Sequence, residues 1–221
     1  MEAGKPVIAI VGGTGALGSG LARRCAAAGY PVVIGSRSPV KAQAQAAELV
    51  AALGAAAVRG DTNVAAVRAA DIVVLAVPYA SHAATLAEIE EAVAGKIVVD
   101  AVVPLVPPKV SVVQLPARGS AGQEAQDRLG ACARVVSAFH NVAAAKLSAG
   151  TAIDCDVLVF GDDRAAKEAV IALTTAIGMR GIDGGGIANS VVGEALTSVL
   201  IGINRRYQVG AAGIRITGID A

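Results

Sequence analysis

Aromatic side chains are scarce in this chain: there is no tryptophan, and three tyrosines and two phenylalanines make up only 2% of 221 residues. That shortage removes the stacking platforms on which single-stranded nucleic acids are held. Nor is there a charge imbalance to attract a phosphate backbone or an anionic membrane, because 19 Lys and Arg stand against 18 Asp and Glu, a formal net charge of +1. Histidine is limited to His82 and His140, without clustered ligands, which argues against a metal site. The three cysteines, Cys25, Cys132 and Cys155, are isolated and odd in number, so they match neither a disulfide framework nor a Cys-x-x-Cys pair; each is expected in the core. Apolar residues reach 54%, yet no uninterrupted apolar stretch attains the roughly 18 residues of a membrane span. The N-terminal residues lack the basic flank and apolar centre of a secretion signal. A cytoplasmic protein with no nucleic-acid or membrane partner is expected.

What is present is a regular alternation. Apolar runs at Val7 to Val11, Val32 to Gly35, Ile72 to Val77, Ile97 to Val99, Val135 to Ala138 and Val157 to Phe160 are mostly separated by alanine-rich helical segments. Runs so continuously apolar cannot face water on either side, which predicts an α/β fold with a Rossmann-type, doubly wound parallel sheet. Helices are predicted over Ser19 to Ala28, Ser38 to Leu53 with Gly54 as C-cap, Asn63 to Ala69, and Ala165 to Ile177. A long apolar helix should run from about Asn189 to Tyr207, ending a small C-terminal α/β extension. Residues 1–145 are expected to form a nucleotide-binding domain and 146–221 a smaller domain. Between Val103 and Gly122, four prolines predict an extended, ordered loop over the sheet edge that could serve as a lid.

The most informative segment is Val11-Gly12-Gly13-Thr14-Gly15-Ala16-Leu17-Gly18, at a strand-to-helix junction. Gly13, Gly15 and Gly18 form a Gly-x-Gly-x-x-Gly, which permits a tight turn, close backbone approach to a diphosphate and close helix-on-strand packing. The helix start then aims free N–H groups at the anion. At the end of the second strand, an NAD site would place a carboxylate; here stands Gly35-Ser36-Arg37, with Lys41 one helical turn on. Ser36, Arg37 and Lys41 suit a 2′-phosphate, so the pattern points to NADP(H). Val77-Pro78-Tyr79 ends another strand at the ligand-binding edge and is expected beside the nicotinamide ribose, unless Tyr79 is an ordinary surface aromatic. His140 follows the strand at Val135 in the same way and is a candidate ligand contact.

No Tyr-x-x-x-Lys pair and no Ser/His/Asp or Cys/His arrangement is evident, and no side chain is assigned as catalytic. Hydride exchange between two redox cofactors fits that scarcity, since it needs mainly two rings held face to face in a dry cleft.

The elements above, with Val98-Val99 through Val103-Pro104, Phe160-Gly161-Asp162-Asp163 and the helix beginning Asn189-Ser190, resemble the F420-dependent NADP oxidoreductases, also called NADPH-dependent F420 reductases, over nearly the whole chain. The resemblance implies that Gly13 and Thr14 to Leu17 (Thr14, Gly15, Ala16, Leu17) hold the diphosphate and Ser36, Arg37 and Lys41 the 2′-phosphate. It implies further that Val77, Pro78, Val103 and Ala144 shape the nicotinamide side, that His140 and Val142 approach the deazaflavin of coenzyme F420, and that the enzyme is a homodimer with contacts from its C-terminal helices. The chain departs from the family's His-x-Ile-Pro, having His140-Asn141-Val142-Ala143, and differs between Lys109 and Gly130. Two other readings stand beside it: an NADP(H)-binding sensor of the NmrA type, and an NADPH-dependent reductase of a small imine or carbonyl.

Overall fold

The computed structural model describes residues 4–54 and 57–219. Its strands are β1 (Ile8–Val11), β2 (Val32–Ser36), β3 (Val58–Thr62), β4 (Ile72–Leu75), β5 (Ile97–Asp100), β6 (Arg134–Ser137), β7 (Asp156–Gly161) and β8 (Arg180–Asp183). They pair in the order β3-β2-β1-β4-β5-β6-β7-β8. The helices are α1 (Ala16–Ala27), α2 (Pro39–Leu53), α3 (Asn63–Arg68), α4 (Tyr79–Ile89), α5 (Ala121–Leu129), α6 (Ala144–Ala149), α7 (Arg164–Ala176) and α8 (Ser190–Tyr207).

Strand pleating divides the core into two layers. Ile8 and Ile10 of β1 face one layer, with Leu21 of α1, Leu49 of α2 and Leu173 of α7. Ala9 and Val11 face the other, with Val67 of α3, Leu86 of α4 and Leu129 of α5. Every residue of β1, β2, β4 and β5 is buried, as a sheet covered by helices on both faces requires. Arg24 of α1 donates to the carbonyls of Leu147 and Lys146 at 3.2 and 3.0 Å, clamping α6 across α1.

The expected α/β doubly wound fold is present, with several differences of detail. The β6–β7 pair is antiparallel rather than parallel. A buried strand carries the same apolar run whichever way it travels, so its direction leaves no mark on composition. Strands β3 and β8 lie at the two edges, where sequences such as Val58-Arg59-Gly60-Asp61-Thr62 need not be apolar throughout; neither was predicted. The proline-rich stretch lacks regular structure up to Ser120 as expected, and is followed by the unpredicted helix α5, started by Ser120, whose hydroxyl accepts from the Gln123 N–H at 3.1 Å. The predicted strand from Ile72 stops at Leu75, because Val77 and Pro78 lead directly into α4. Cys25 and Cys155 are buried as expected, but Cys132 is exposed in the turn between α5 and β6.

Residues 187–207, which include α8, are long and apolar enough to cross a membrane by length and composition alone. In the second turn of that helix, however, Glu194 is sealed within the protein and bonded to the start of α5.

Candidate functional site

The turn between β1 and α1 meets the carboxyl end of β4. Gly12 has φ +77°, and a Cβ there would lie 2.7 Å from the Ala76 carbonyl oxygen. A Cβ on Gly18 would come within 2.5 Å of the Gly12 oxygen, so α1 packs against the turn only because both are glycine. Gly15 is less crowded: a Cβ there would lie 3.3 Å from the Gly12 oxygen and about 4.0 Å from the Ala76 oxygen. The first turn of α1, which begins Ala16-Leu17, holds no acidic side chain and leaves its N–H groups to an anion.

Gly12, Thr14, Gly15, Ser36, Arg37, Asn63, Ala76, Val77, Pro78, Ser81 and Thr85 line a single cleft of ≈ 200 Å³. Ser36 is buried with its hydroxyl 3.2 Å from the Ser38 N–H, and Ser38 caps α2. Arg37 is exposed just beyond it, and Lys41 is exposed on the first turn of α2. Neither cation is paired with a carboxylate among the described residues. The structure thus brings together the glycine loop, the Ser36–Arg37 corner and Val77-Pro78. A larger cavity of ≈ 630 Å³ lies between β8 and the C-terminal tail, away from these groups.

The remaining predicted site residues lie outside that lining. Val103 faces a crevice too narrow to hold a water molecule, shared with Pro104, Leu115 and Glu194. His140 and Val142 are buried beyond the end of β6. Nε2 of His140 lies 3.1 Å from the Ser137 hydroxyl, and its ring packs against Gly193 of α8, where a Cβ would sit 3.2 Å from Nδ1. Burial pushes the His140 pKa down to about 4 despite the charge and carbonyl of Asp100, so the ring is neutral at pH 7. Phe139, immediately before it, is held at φ +68°, a strained conformation for a bulky residue that aims the following imidazole toward α8. Ala144 opens α6 against α1. Tyr79 is neither a free surface aromatic nor part of the cleft lining: its hydroxyl donates to Glu124 at 3.1 Å and its ring stacks on His82.

A buried acid–base cluster below the strand ends had no counterpart in the sequence reading. His82 Nε2 lies 2.6 Å from Asp100 Oδ2, and Asp100 Oδ1 accepts the Val102 N–H at 2.9 Å. Burial opposes a charge on His82, but the hydrogen bond and charge of Asp100 outweigh it and hold the imidazole pKa above its usual value. Glu194 accepts the backbone N–H groups of Ala121 and Gly122 at 2.7 and 3.0 Å. Burial nevertheless raises its pKa to about 8, with Asp100 adding to the rise and the two N–H donors and His82 opposing it. Beside it, the Ser120 and Ser190 hydroxyls lie 2.7 Å apart. Asn63 of the cleft was likewise expected only as part of a helix. Its buried amide donates to Glu88 of α4 at 3.0 Å and packs against Gly35 of β2.

Comparison with known proteins agrees with this geometry. Residues 7–104 match the family model described as NADP oxidoreductase, coenzyme F420-dependent. The chain is 40% identical over 220 residues to the F420-dependent NADP reductase of Methanothermobacter thermautotrophicus, covering 96% of this chain and 95% of that protein. It is 39% identical to the enzyme of the same name from Methanocaldococcus jannaschii, covering 96% and 99% respectively. A crystal structure from Arthrobacter sp. FB24, provisionally described as an F420-dependent NADP reductase, superposes with a TM-score of 0.79 at 29% identity, over 96% of this chain and 99% of that one. With its glycine-loop cleft and a likeness that runs almost end to end, the chain belongs to the F420-dependent NADP reductase family.

Proposed function

We propose that this protein is an oxidoreductase that transfers a hydride between NADP(H) and coenzyme F420. The observation that carries the reading is the near-full-length match to reductases of that name, in a chain whose glycine-loop cleft is flanked by the unpaired cations Arg37 and Lys41. The cleft suits an NADP(H) molecule on its own evidence: the glycine loop lines it, a cation stands at the β2 end, and a buried polar atom on Asn63 has no partner among the described residues. The bound nicotinamide would give up a hydride as NADPH or take one up as NADP+.

The chain's own residues then divide the work. Backbone N–H groups from Gly13 to Leu17 hold the diphosphate, while the Ser36 hydroxyl, Arg37 and Lys41 bond the 2′-phosphate. Val77, Pro78, Val103 and Ala144 present apolar surface to the nicotinamide and exclude water. His140, neutral through burial, and Val142 face the deazaflavin, offering a hydrogen bond without introducing charge. Residues 1–145 hold NADP(H), and 146–221 complete the cleft for the second ring. Exposed Val192 and Val199, seven residues apart on α8, supply the contact of a homodimer. The protein works in the cytoplasm and needs no nucleic-acid or membrane partner.

The 40% identity to an F420-dependent NADP reductase over 96% of the chain favours this reading over reduction of a small imine or carbonyl. The full-length likeness to reductases favours it over an NmrA-type sensor. Mixing the protein with NADPH and F420 should bleach the deazaflavin absorbance; tight NADPH binding without bleaching refutes the hydride transfer.

A further inference from the structure

Asn63 is the first residue of α3, and its side chain lies in the cleft wall. An asparagine at a helix start ordinarily caps the helix. Here that task is taken by Thr62, whose hydroxyl accepts the Ala65 N–H at 3.3 Å, so Asn63 has no capping role. Its amide is 3% exposed, and Nδ2 donates to Glu88 Oε2 at 3.0 Å. That contact settles the orientation, because the reversed amide would set Oδ1 against a carboxylate oxygen. Oδ1 is then left as a buried acceptor with no hydrogen-bond partner among the described residues.

The position of that oxygen indicates what should meet it. A Cβ on Gly35 would sit 3.2 Å from Oδ1, so only a glycine before Ser36 and Arg37 leaves room for this buried atom beside the carboxyl end of β2. The same cleft wall carries Ser36 and Arg37. A phosphate ionised at neutral pH donates poorly, and the nearby cations already match it; an orphaned carbonyl oxygen needs an N–H or O–H. In a nucleotide whose ribose is phosphorylated at the 2′ position, the neighbouring 3′-hydroxyl is a donor within reach of the same corner.

We infer that Asn63 is a specificity-determining binding residue whose Oδ1 accepts the 3′-hydroxyl of the adenosine ribose. This rests on the proposal that the cleft holds NADP(H). Arg37 and Lys41 then read the phosphate, while Asn63, held by Glu88, reads the hydroxyl next to it. The pair of contacts favours a 2′-phosphate over a 3′-phosphate, because phosphorylation at the 3′ position both removes the donor and places negative charge against an acceptor.

Calorimetry with fragments of the nucleotide tests this directly. Adenosine 2′,5′-bisphosphate should bind the wild-type protein about tenfold more tightly than its 3′-deoxy analogue. Asn63→Ala should bind the parent about tenfold more weakly than wild type does and should no longer distinguish the two ligands. The hypoxanthine analogue, which lacks the adenine amino group, should keep its wild-type affinity relative to the parent. Equal wild-type affinity for the parent and the 3′-deoxy analogue overturns the inference, as does a loss confined to the hypoxanthine analogue, which would assign the donor to the base. These comparisons need only the wild-type protein, so they stand even if Asn63→Ala folds poorly. Failure of the wild-type protein to bind either adenosine 2′,5′-bisphosphate or NADPH would refute the NADP(H) site itself, a result distinct from loss of 3′-hydroxyl discrimination.

Discussion

His82 Nε2 and Asp100 Oδ2 lie 2.6 Å apart, with 2% and 0% of their side chains exposed. The pair joins α4 to the carboxyl end of β5, directly below the strand ends that form the ligand-binding edge. Two polar groups kept this dry are stabilising only as a pair, since removing either leaves the other buried without its hydrogen-bond partner. Asp100→Ala should therefore destabilise the protein by about 3–5 kcal/mol in urea unfolding at pH 7. It would also release the Val102 N–H that Oδ1 now accepts. A loss below about 1 kcal/mol would mean that the pair contributes no more than an exposed one.

Glu194 makes stability depend on pH in an unusual direction for a carboxylate. Its folded pKa of about 8 stands above the unfolded value of 4.5, so the folded state holds the proton more tightly. Its stabilising contribution is complete below 4.5 and is lost as pH rises through about 8. The raised pKa of His82 acts in the same sense above the ordinary imidazole value of 6.5. His140, lowered from 6.5 to about 4, acts oppositely, adding stability as pH climbs across that interval. Above pH 6.5 only the decline remains, so unfolding free energy should fall between pH 6.5 and 9, at up to about 1.4 kcal/mol per pH unit for each proton involved. Glu194→Gln should flatten most of that fall. An unchanged slope in the variant would assign the titration elsewhere.

The cleft and the cluster differed in how visible they were in the amino-acid sequence. Gly12 to Gly18 and Ser36 to Lys41 are local patterns, each confined to a few residues at a strand-to-helix junction, and the alternation of apolar runs placed both at the same sheet edge. The cluster has no such locality. His82 and Asp100 are 18 residues apart, and Glu194 reaches a backbone N–H 73 residues away, so only the finished fold brings them together. Each in isolation reads as an ordinary helical or strand-end polar residue. Asn63 was hidden for a related reason, because its amide meets Glu88 of α4, 25 residues on, and Gly35 of β2 only in the finished fold.

The two cations beside Ser36 make a prediction about cofactor choice. Arg37 and Lys41 are exposed and unpaired by carboxylates, so their replacement should leave stability nearly unchanged while removing charge-assisted contacts to a 2′-phosphate. Arg37→Ala with Lys41→Ala should weaken NADPH by about 1.5–3 kcal/mol per contact and NADH little. Fluorescence titration with both cofactors reads the ratio. Equal losses for the two would refute the 2′-phosphate assignment.

Two glycines of positive φ separate backbone strain from steric blockage. Gly54, the C-cap of α2, has φ +62° and nothing within 4 Å of a built Cβ, so Gly54→Ala should cost about 1 kcal/mol from conformation alone. Gly12 adds an approach of 2.7 Å to the Ala76 carbonyl and 2.8 Å to the Val77 side chain, both parts of the cleft wall. Gly12→Ala should cost more stability than Gly54→Ala and also abolish NADPH binding, since making room moves the turn that holds the diphosphate. Thermal unfolding and a binding titration on both variants check the contrast; equal stability losses with NADPH affinity intact would remove the close approach as the reason for glycine at this turn.

The exposed apolar residues of α8 give the last prediction. Val192 is 58% exposed and Val199 46%, and their spacing of seven residues puts them on one face of the helix. The loop before α5 exposes Val112, Val113 and Leu115 as well. A helix otherwise packed into the protein through Glu194 and Ser190 gains nothing from wetting these side chains, so a second copy of the chain should cover them. Light scattering should give twice the monomer mass for the wild type and the monomer mass for Val192→Glu combined with Val199→Glu. Because both positions already face water in the monomer, the substitutions should leave its fold intact, as circular dichroism would verify. A wild-type monomer, or a double variant that remains dimeric, would exclude this face as the subunit contact.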